Sequence, residues 1–145
     1  MLILVHNPTV DCGLYALTLR VNSGIRIRVG ALGILEFASG YYVYCGSARR
    51  GPNSRLRRHV APKKKKRWHI DYLTSCREVT VEAIQVFPVG DITECQLNER
   101  TANLPGATRI RGFGCSDCRC SSHLSYHGSR PPTMKREKYD RIIES

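Results

Sequence analysis

From Gly13 to Val21 the chain is a run of aliphatic, aromatic and β-branched residues and reads as a strand. Asn22-Ser23-Gly24 is a turn signal, and Ile25-Arg26-Ile27-Arg28-Val29 then alternates with period two, so a hairpin is expected there. Gly30 to Gly33 bends the chain into a short strand over Ile34 to Phe37. Ser39-Gly40 turns it again into a strand from Tyr41 to Cys45, which Gly46-Ser47-Ala48 ends. The pattern then changes. Pro52-Asn53-Ser54 opens a helix whose inward side is Leu56 and Val60, and Pro62 stops it. A second helix is expected over Trp68 to Ser75, with Trp68, Tyr72 and Leu73 packing inward. Val79 to Phe87 alternates once more, with Val79, Val81 and Ala83 on one side of another strand. Asp91 and Glu94 have the spacing of a capping box and open a helix to about Leu104, ended by Pro105-Gly106. Beyond Arg111 the chain is rich in glycine and cysteine. After Ser129 it is mostly polar, with Met134 to Glu144 expected as a frayed helix.

This order of elements is that of an α+β domain, a small, mainly antiparallel sheet flanked by helices. With 145 residues and 41% hydrophobic content there is apolar surface for one core, so a single domain over 1–129 and a polar tail over 130–145 are expected. No stretch approaches the roughly 18 apolar residues of a membrane span. Met1 to Val5 is apolar but too short for a signal peptide and has no basic flank. Four of the seven cysteines, Cys12, Cys45, Cys76 and Cys95, stand singly in apolar settings, as reduced thiols do. The expectation is a soluble cytoplasmic protein with no membrane partner.

Charge points to the partner. The formal net charge is +11, and it is clustered: Arg49, Arg50, Arg55, Arg57, Arg58, Lys63, Lys64, Lys65, Lys66 and Arg67 carry ten positive charges with no acidic residue between them. A solvated surface normally mixes signs, so this segment reads as a footprint for nucleic-acid phosphate. Within it Arg55 and His59 are four apart, on one face of the expected helix. Tyr44 and Gly46 end the strand that feeds that helix, with Ser47 beside them. Glycine lets backbone approach a ligand, arginine grips phosphate through two N–H groups, and histidine moves a proton near neutral pH. The competing reading makes Arg55 and His59 two more members of a solvated basic face.

Three further features hold candidate chemistry. In Trp68-His69-Ile70-Asp71-Tyr72, His69 is placed to line the basic groove, while Trp68 and Tyr72 pack the helix down. Cys115, Cys118, Cys120 and His123 are soft ligands at close spacing, suited to Zn²⁺. Their spacing fits no common finger, and buried thiols in a turn-rich segment are the alternative. Glu94, taken alone, is the glutamate of a capping box, worth about 1 kcal/mol and no chemistry.

A wider set of motifs bears on these choices. Gly13-Leu14-Tyr15 and Tyr44-Cys45-Gly46 resemble the two short motifs of the GIY-YIG nuclease superfamily, which includes the excinuclease C subunit and many intron-encoded homing endonucleases. Arg55, His59 and Glu94 follow in the expected order. The runs Gly-Tyr-Tyr-Val-Tyr-Cys-Gly-Ser-Ala, Arg-Leu-Arg-Arg-His, Trp-His-Ile-Asp-Tyr-Leu, Glu94-Cys95 and Gly-Phe-Gly-Cys-Ser-Asp-Cys-Arg-Cys-Ser-Ser-His-Leu together resemble the prokaryotic Uri-type, GIY-YIG-like endonucleases, over about residues 12 to 126. Two features depart from the superfamily pattern. Residues 16 to 43 separate the tyrosine motifs by more than is typical, so the second hairpin reads as an insertion. No residue clearly matches the asparagine that often completes the site, although Asn98 and Asn103 lie nearby.

The resemblance implies a metal-dependent endonuclease that hydrolyses nucleic-acid phosphodiesters, with DNA expected over RNA as the substrate. It implies that Glu94 binds Mg²⁺ or Mn²⁺ and that Arg55 offsets charge on the phosphoryl oxygens. Tyr15 and Tyr44 would position or deprotonate the attacking water, with His59 as a second acceptor for that proton. Gly46, Ser47, His69 and the basic residues from Arg49 to Arg67 would contact the nucleic acid. Two other readings use the same residues: a nucleic-acid-binding module that keeps the fold without turnover, and a structural protein that contacts RNA through its basic loop.

Overall fold

A computed structural model describes residues 2–6, 13–48, 59, 61, 65–66, 68–88, 93–114, 122–131 and 141–144. Strands β1 (Leu2–His6), β2 (Gly13–Val21), β3 (Ile25–Arg28), β4 (Ile34–Phe37) and β5 (Gly40–Ala48) come first. Helix α1 (His69–Thr74), strand β6 (Val79–Pro88), helix α2 (Glu94–Ala102) and strands β7 (Thr108–Arg109), β8 (Leu124–His127) and β9 (Arg141–Glu144) follow. Seven strands form one sheet in the order β7-β8-β5-β2-β6-β1-β9, and β3 with β4 forms a separate ribbon. The pairs are antiparallel except β1 with β6. The protein is an α+β domain with a mainly antiparallel sheet and few helices among the described residues.

Strand β2 is the centre of the sheet and is buried on both faces. Tyr15, Leu17, Leu19 and Val21 point into the larger core, with Tyr42, Ile84, Val86 and Leu124 from neighbouring strands and Ile70 and Leu73 from α1. Leu14 and Ala16 point the other way, against Val43, Cys45 and Leu97 of α2. Burial on two faces is why Leu14 to Leu17 is continuously apolar, while from Thr18 to Val21 the strand alternates and exposes Arg20.

The registers explain where the sequence pattern misleads. Strand β6 slips by one residue against β2 between Thr18 and Leu19, a β-bulge at Glu82. The slip lets Val79 and Val81 share the larger core with Ile84 and Val86 despite opposite parity, and it turns Ala83 onto the other face, opposite Thr18. The hairpin is also not the one expected. Strand β2 stays paired with β5 as far as Val21 opposite Gly40, so β3 pairs with β4 around a 3-10 turn at Gly30–Leu32. The ribbon folds back on the core, burying Val29 and Phe37. Strand β5 runs through Gly46 and Ser47 to Ala48 instead of stopping at Cys45.

The ends of the helices differ as well. Ile70 and Leu73 are the buried hydrophobic residues of α1, while Trp68 and Tyr72 pack at the core's edge. The capping box of α2 is Thr93 with Gln96: Thr93 Oγ1 accepts from the Gln96 N–H at 3.1 Å, and Gln96 Oε1 accepts from the Thr93 N–H at 2.8 Å. Glu94 is therefore the first residue of the helix and not its capping glutamate. The helix stops at Ala102, before Leu104. Arg141–Glu144 is a strand paired with β1 and not a helix. Strand β1 itself has no forecast in the local pattern, because its partners are 80 and 140 positions along the chain in round terms, as Leu4 opposite Ala83 and Ile142 shows. No helix among the described residues is long and apolar enough to cross a membrane.

If β2 is the spine of both cores, Leu17→Ala should destabilise the protein by about 2–5 kcal/mol in chemical unfolding. Exposed Ile34, replaced by Thr, should change stability by no more than about 0.5 kcal/mol. Equal losses at the two positions would contradict this packing.

Candidate active site

The pairing of β2 with β5 places Tyr15 opposite Gly46 and Leu17 opposite Tyr44, so both tyrosines project from the same face of the sheet. Their ring centroids are 6.4 Å apart. A Cβ built on Gly46 would lie 2.5 Å from Tyr15 Oη and 2.6 Å from Cζ, closer than real contacts come. The missing side chain is what lets the Tyr15 phenol lie across β5. The space above Gly46 is thus filled by Tyr15, where the sequence suggested approach of a ligand. The long segment between the motifs leaves from the Val21–Gly40 end of the strand pair, so the ribbon does not separate the tyrosines.

His59 sits in helical backbone and is 1% exposed, and Tyr15 is 3% exposed. Tyr15 Oη and His59 Nε2 are 2.7 Å apart, a short buried hydrogen bond. The His59 ring lies 5.2 Å from that of Tyr15, 6.4 Å from Tyr44 and 6.3 Å from Trp68, which backs it. The three candidate residues on this face therefore form one cluster.

Tyr44 also touches residues from the far end of the chain. Its ring is 6.2 Å from Phe113, and a Cβ on Gly114 would sit 3.1 Å from Tyr44 Cε1 and 3.2 Å from His123 Cβ. Gly114, with φ +74°, holds a backbone conformation natural to glycine and lets the two side chains close on it. On the other side of His123, its Nδ1 lies 3.6 Å from Glu94 Oε1 and 3.2 Å from the Cys45 carbonyl. Glu94 comes from α2 on the opposite face of the sheet, yet Gly114 and His123 bring it round to Tyr44.

Electrostatics carries the same contiguity. Burial holds the Tyr44 phenol well above its usual range, with Tyr15, Glu94, Cys45 and Asp71 pushing it further. Tyr44 is a protonated phenol at neutral pH, and a cation beside Glu94 would offset the Glu94 charge that helps to raise it. Burial also pushes the Cys45 thiol up to about 12, with Glu94 adding to it and the Thr101 hydrogen bond opposing. Cys45 is a packed thiol, as its apolar setting suggested.

Other candidates sit apart or serve the fold. His69 Nδ1 accepts the Gly114 N–H at 2.8 Å, tying α1 to the turn that carries Phe113, and burial lowers its pKa. Ser47 lies opposite Leu14 in β5. Lys65 and Lys66 are exposed, and Lys66 Nζ is 5.5 Å from the Tyr72 ring centroid, a cation–π contact. Asn98 is buried and donates to the Ser122 carbonyl, while Asn103 caps α2 and lies beside Arg109. Arg49, Arg50, Arg55, Arg57, Arg58, Lys63, Lys64 and Arg67 lie outside the described residues, as do Cys115, Cys118 and Cys120 of the candidate zinc set. His123 of that set has Nδ1 facing two oxygen acceptors.

A family model described as a domain of unknown function, DUF123, matches residues 14–143. The chain belongs to the DUF123 family. No curated protein and no solved structure matches it. Among the described residues of this DUF123 chain, no group of three or more His, Cys, Asp and Glu could hold a metal ion. The donor set at Glu94 is nonetheless of the right kind for Mg²⁺, which keeps several waters and commonly takes one or two carboxylates plus substrate phosphate. Glu94 is partly exposed and outside the capping box, so its oxygens can take that part. Phe113, Gly114 and the His123–Glu94 link are the parts of this DUF123 site that sequence reasoning did not assign. The Gly-Phe-Gly run ahead of the cysteines was their only local signal.

Two measurements test this geometry. Gly46→Ala should cost about 1–3 kcal/mol of stability by forcing the Tyr15 phenol off β5, and should break its contact with His59; an unchanged unfolding midpoint would rule out the close approach. Burial lowers the folded-state pKa of both His69 and His127 below the ordinary 6.5, so protonation favours the unfolded chain. Their contribution is present above pH 6.5 and lost as pH falls below it. The decline in thermal midpoint from pH 7.5 to pH 5 should become shallower in the His69→Asn/His127→Asn double variant; an identical decline would contradict burial as the cause.

Proposed function

We propose that this chain is a metal-dependent endonuclease of the GIY-YIG type that hydrolyses phosphodiesters in nucleic acid, with DNA the preferred substrate. The observation that carries the reading is the clustering of Tyr15, Tyr44 and His59, with the Glu94 charge felt at Tyr44 from the other face of the sheet. These residues were expected to act together from their order in the sequence.

In this reading Glu94 holds a Mg²⁺ or Mn²⁺ ion, which supplies charge stabilisation to the phosphoryl and leaving oxygens. The buried 2.7 Å contact gives the attacking water's proton a route: Tyr15 Oη accepts it while passing its own proton to His59 Nε2. Tyr44, held protonated by burial, orients the water or the phosphate by donating a hydrogen bond. Arg55, four residues before His59, is assigned to the phosphoryl oxygens, and the basic residues from Arg49 to Arg67 to the backbone on either side. The near-complete burial of Tyr15 and His59 is the observation that favours the alternative, a binding module of the same fold without turnover.

Nicked, branched, flapped and linear DNA, and RNA, incubated with Mg²⁺ or Mn²⁺ separate these readings. Wild type should cleave at least one substrate, and Glu94→Ala, Arg55→Ala and His59→Ala should each lose about 100-fold or more in rate while still binding. Binding should weaken steeply with salt, with a slope that reports the phosphates neutralised. Equal cleavage by wild type and Glu94→Ala would sink the nuclease reading; salt-independent binding would remove the phosphate footprint.

A further inference from the structure

We infer that His123 is a positioning residue that fixes the Glu94 carboxylate for its metal through the Nδ1–H of its imidazole. The inference rests on the proposed role of Glu94. It begins from a problem that the helix start creates. Glu94 is the first residue of α2, and the capping box beside it is completed by Thr93 and Gln96. A glutamate in that position has three free side-chain torsions and nothing from its own helix to direct it. Among the described residues it lies beside His123, with Nδ1 at 3.6 Å from Oε1.

His123 is itself held firmly. It is 3% exposed. Its N–H donates to the Phe113 carbonyl at 2.8 Å, and its carbonyl accepts from the Cys45 N–H at 3.0 Å. Close contact with Gly114 fixes the Cβ. The ring therefore cannot follow the glutamate; the glutamate must follow the ring. Nδ1 lies 3.2 Å from the Cys45 carbonyl oxygen, which can only accept, so Nδ1 must carry a hydrogen. The same nitrogen lies 3.6 Å from Glu94 Oε1, beyond a full hydrogen bond but close enough for its N–H dipole to attract the carboxylate. A donor anchored to the sheet thus sets the direction of a carboxylate on the helix of one face, beside a tyrosine on the other. Partners of this kind, one bond removed from a metal, commonly change metal affinity by about 10–100-fold when lost.

The chemistry makes a sharp distinction between substitutions. The amide nitrogen of asparagine falls near the position of histidine Nδ1, whereas that of glutamine falls near Nε2. In titrations of the full chain followed by the electron-spin signal of free Mn²⁺, His123→Asn should bind Mn²⁺ within about twofold of wild type. His123→Gln and His123→Ala should bind about 10–100-fold more weakly. Asparagine as weak as alanine, or all three like wild type, would overturn the inference.

A second readout needs no change at His123 and no metal. The imidazole ¹⁵N spectrum of the wild type should show the Nδ1–H tautomer of His123, and Glu94→Gln should shift the Nδ1 resonance. The opposite tautomer overturns the inference even if Mn²⁺ binds. Mn²⁺ binding that depends on His123 as described, in a protein that cleaves nothing, would remove the nuclease reading and leave this one standing. Wild-type protein that binds no Mn²⁺ would overturn the inference together with the metal role of Glu94.

Discussion

Strands β2 and β5 pair over their whole length, from Gly13 opposite Ala48 to Val21 opposite Gly40, and this register constrains the rest of the site. Because side chains alternate with period two, a slip of one residue between the strands would put Tyr15 and Tyr44 on opposite faces of the sheet. In the register observed, the two phenols stand on one face, and Gly46, which has no side chain, lies under Tyr15. The phenol can then lie flat across β5 and meet His59. Both cores reinforce the register, since β2 buries leucines on one face and Leu14 and Ala16 on the other. A sheet spine packed on two sides gives a rigid base for a short, buried polar contact, which would otherwise be costly to desolvate.

The sheet also explains how Glu94 reaches the cluster from the wrong side. Helix α2 covers the smaller core, and its first residue lies beside His123, which meets the Cys45 carbonyl towards the end of β5. The segment from Phe113 to Gly114 returns to that same end on the other face, and His123 enters β8 between them. The site is therefore built around the end of the sheet and not within one face. Burial alone would leave Tyr44 a phenol of little use as a base. Its proposed part is to donate a hydrogen bond, with proton acceptance assigned to the Tyr15–His59 pair.

Local sequence carried much of this and missed the rest for identifiable reasons. The bounds of β2 were legible from its wealth of aliphatic, aromatic and β-branched residues, and Tyr15, Tyr44 and His59 from the order of their motifs. The phase of β6 was not, because a bulge at Glu82 exists only in relation to the partner strand. Strands β1 and β9 escaped for the same reason: their pairing joins the two ends of the chain. At α2, the Asp91–Glu94 spacing competed with Thr93–Gln96, and hydrogen bonds decided for the latter. That choice frees Glu94 from the role that composition alone would have given it. The link to His123 was illegible because the neighbouring cysteines suggested a different ligand set for that histidine.

The account stands on Glu94 and Tyr44 sharing one site from opposite faces of the sheet. Crystals soaked in Mn²⁺ and measured at the manganese absorption edge test this directly. An anomalous peak should appear about 2.1 Å from a Glu94 carboxylate oxygen, on the side that faces Tyr44. A bound ion that avoids Glu94, or a Glu94 carboxylate directed away from Tyr44 when the ion is present, would contradict it.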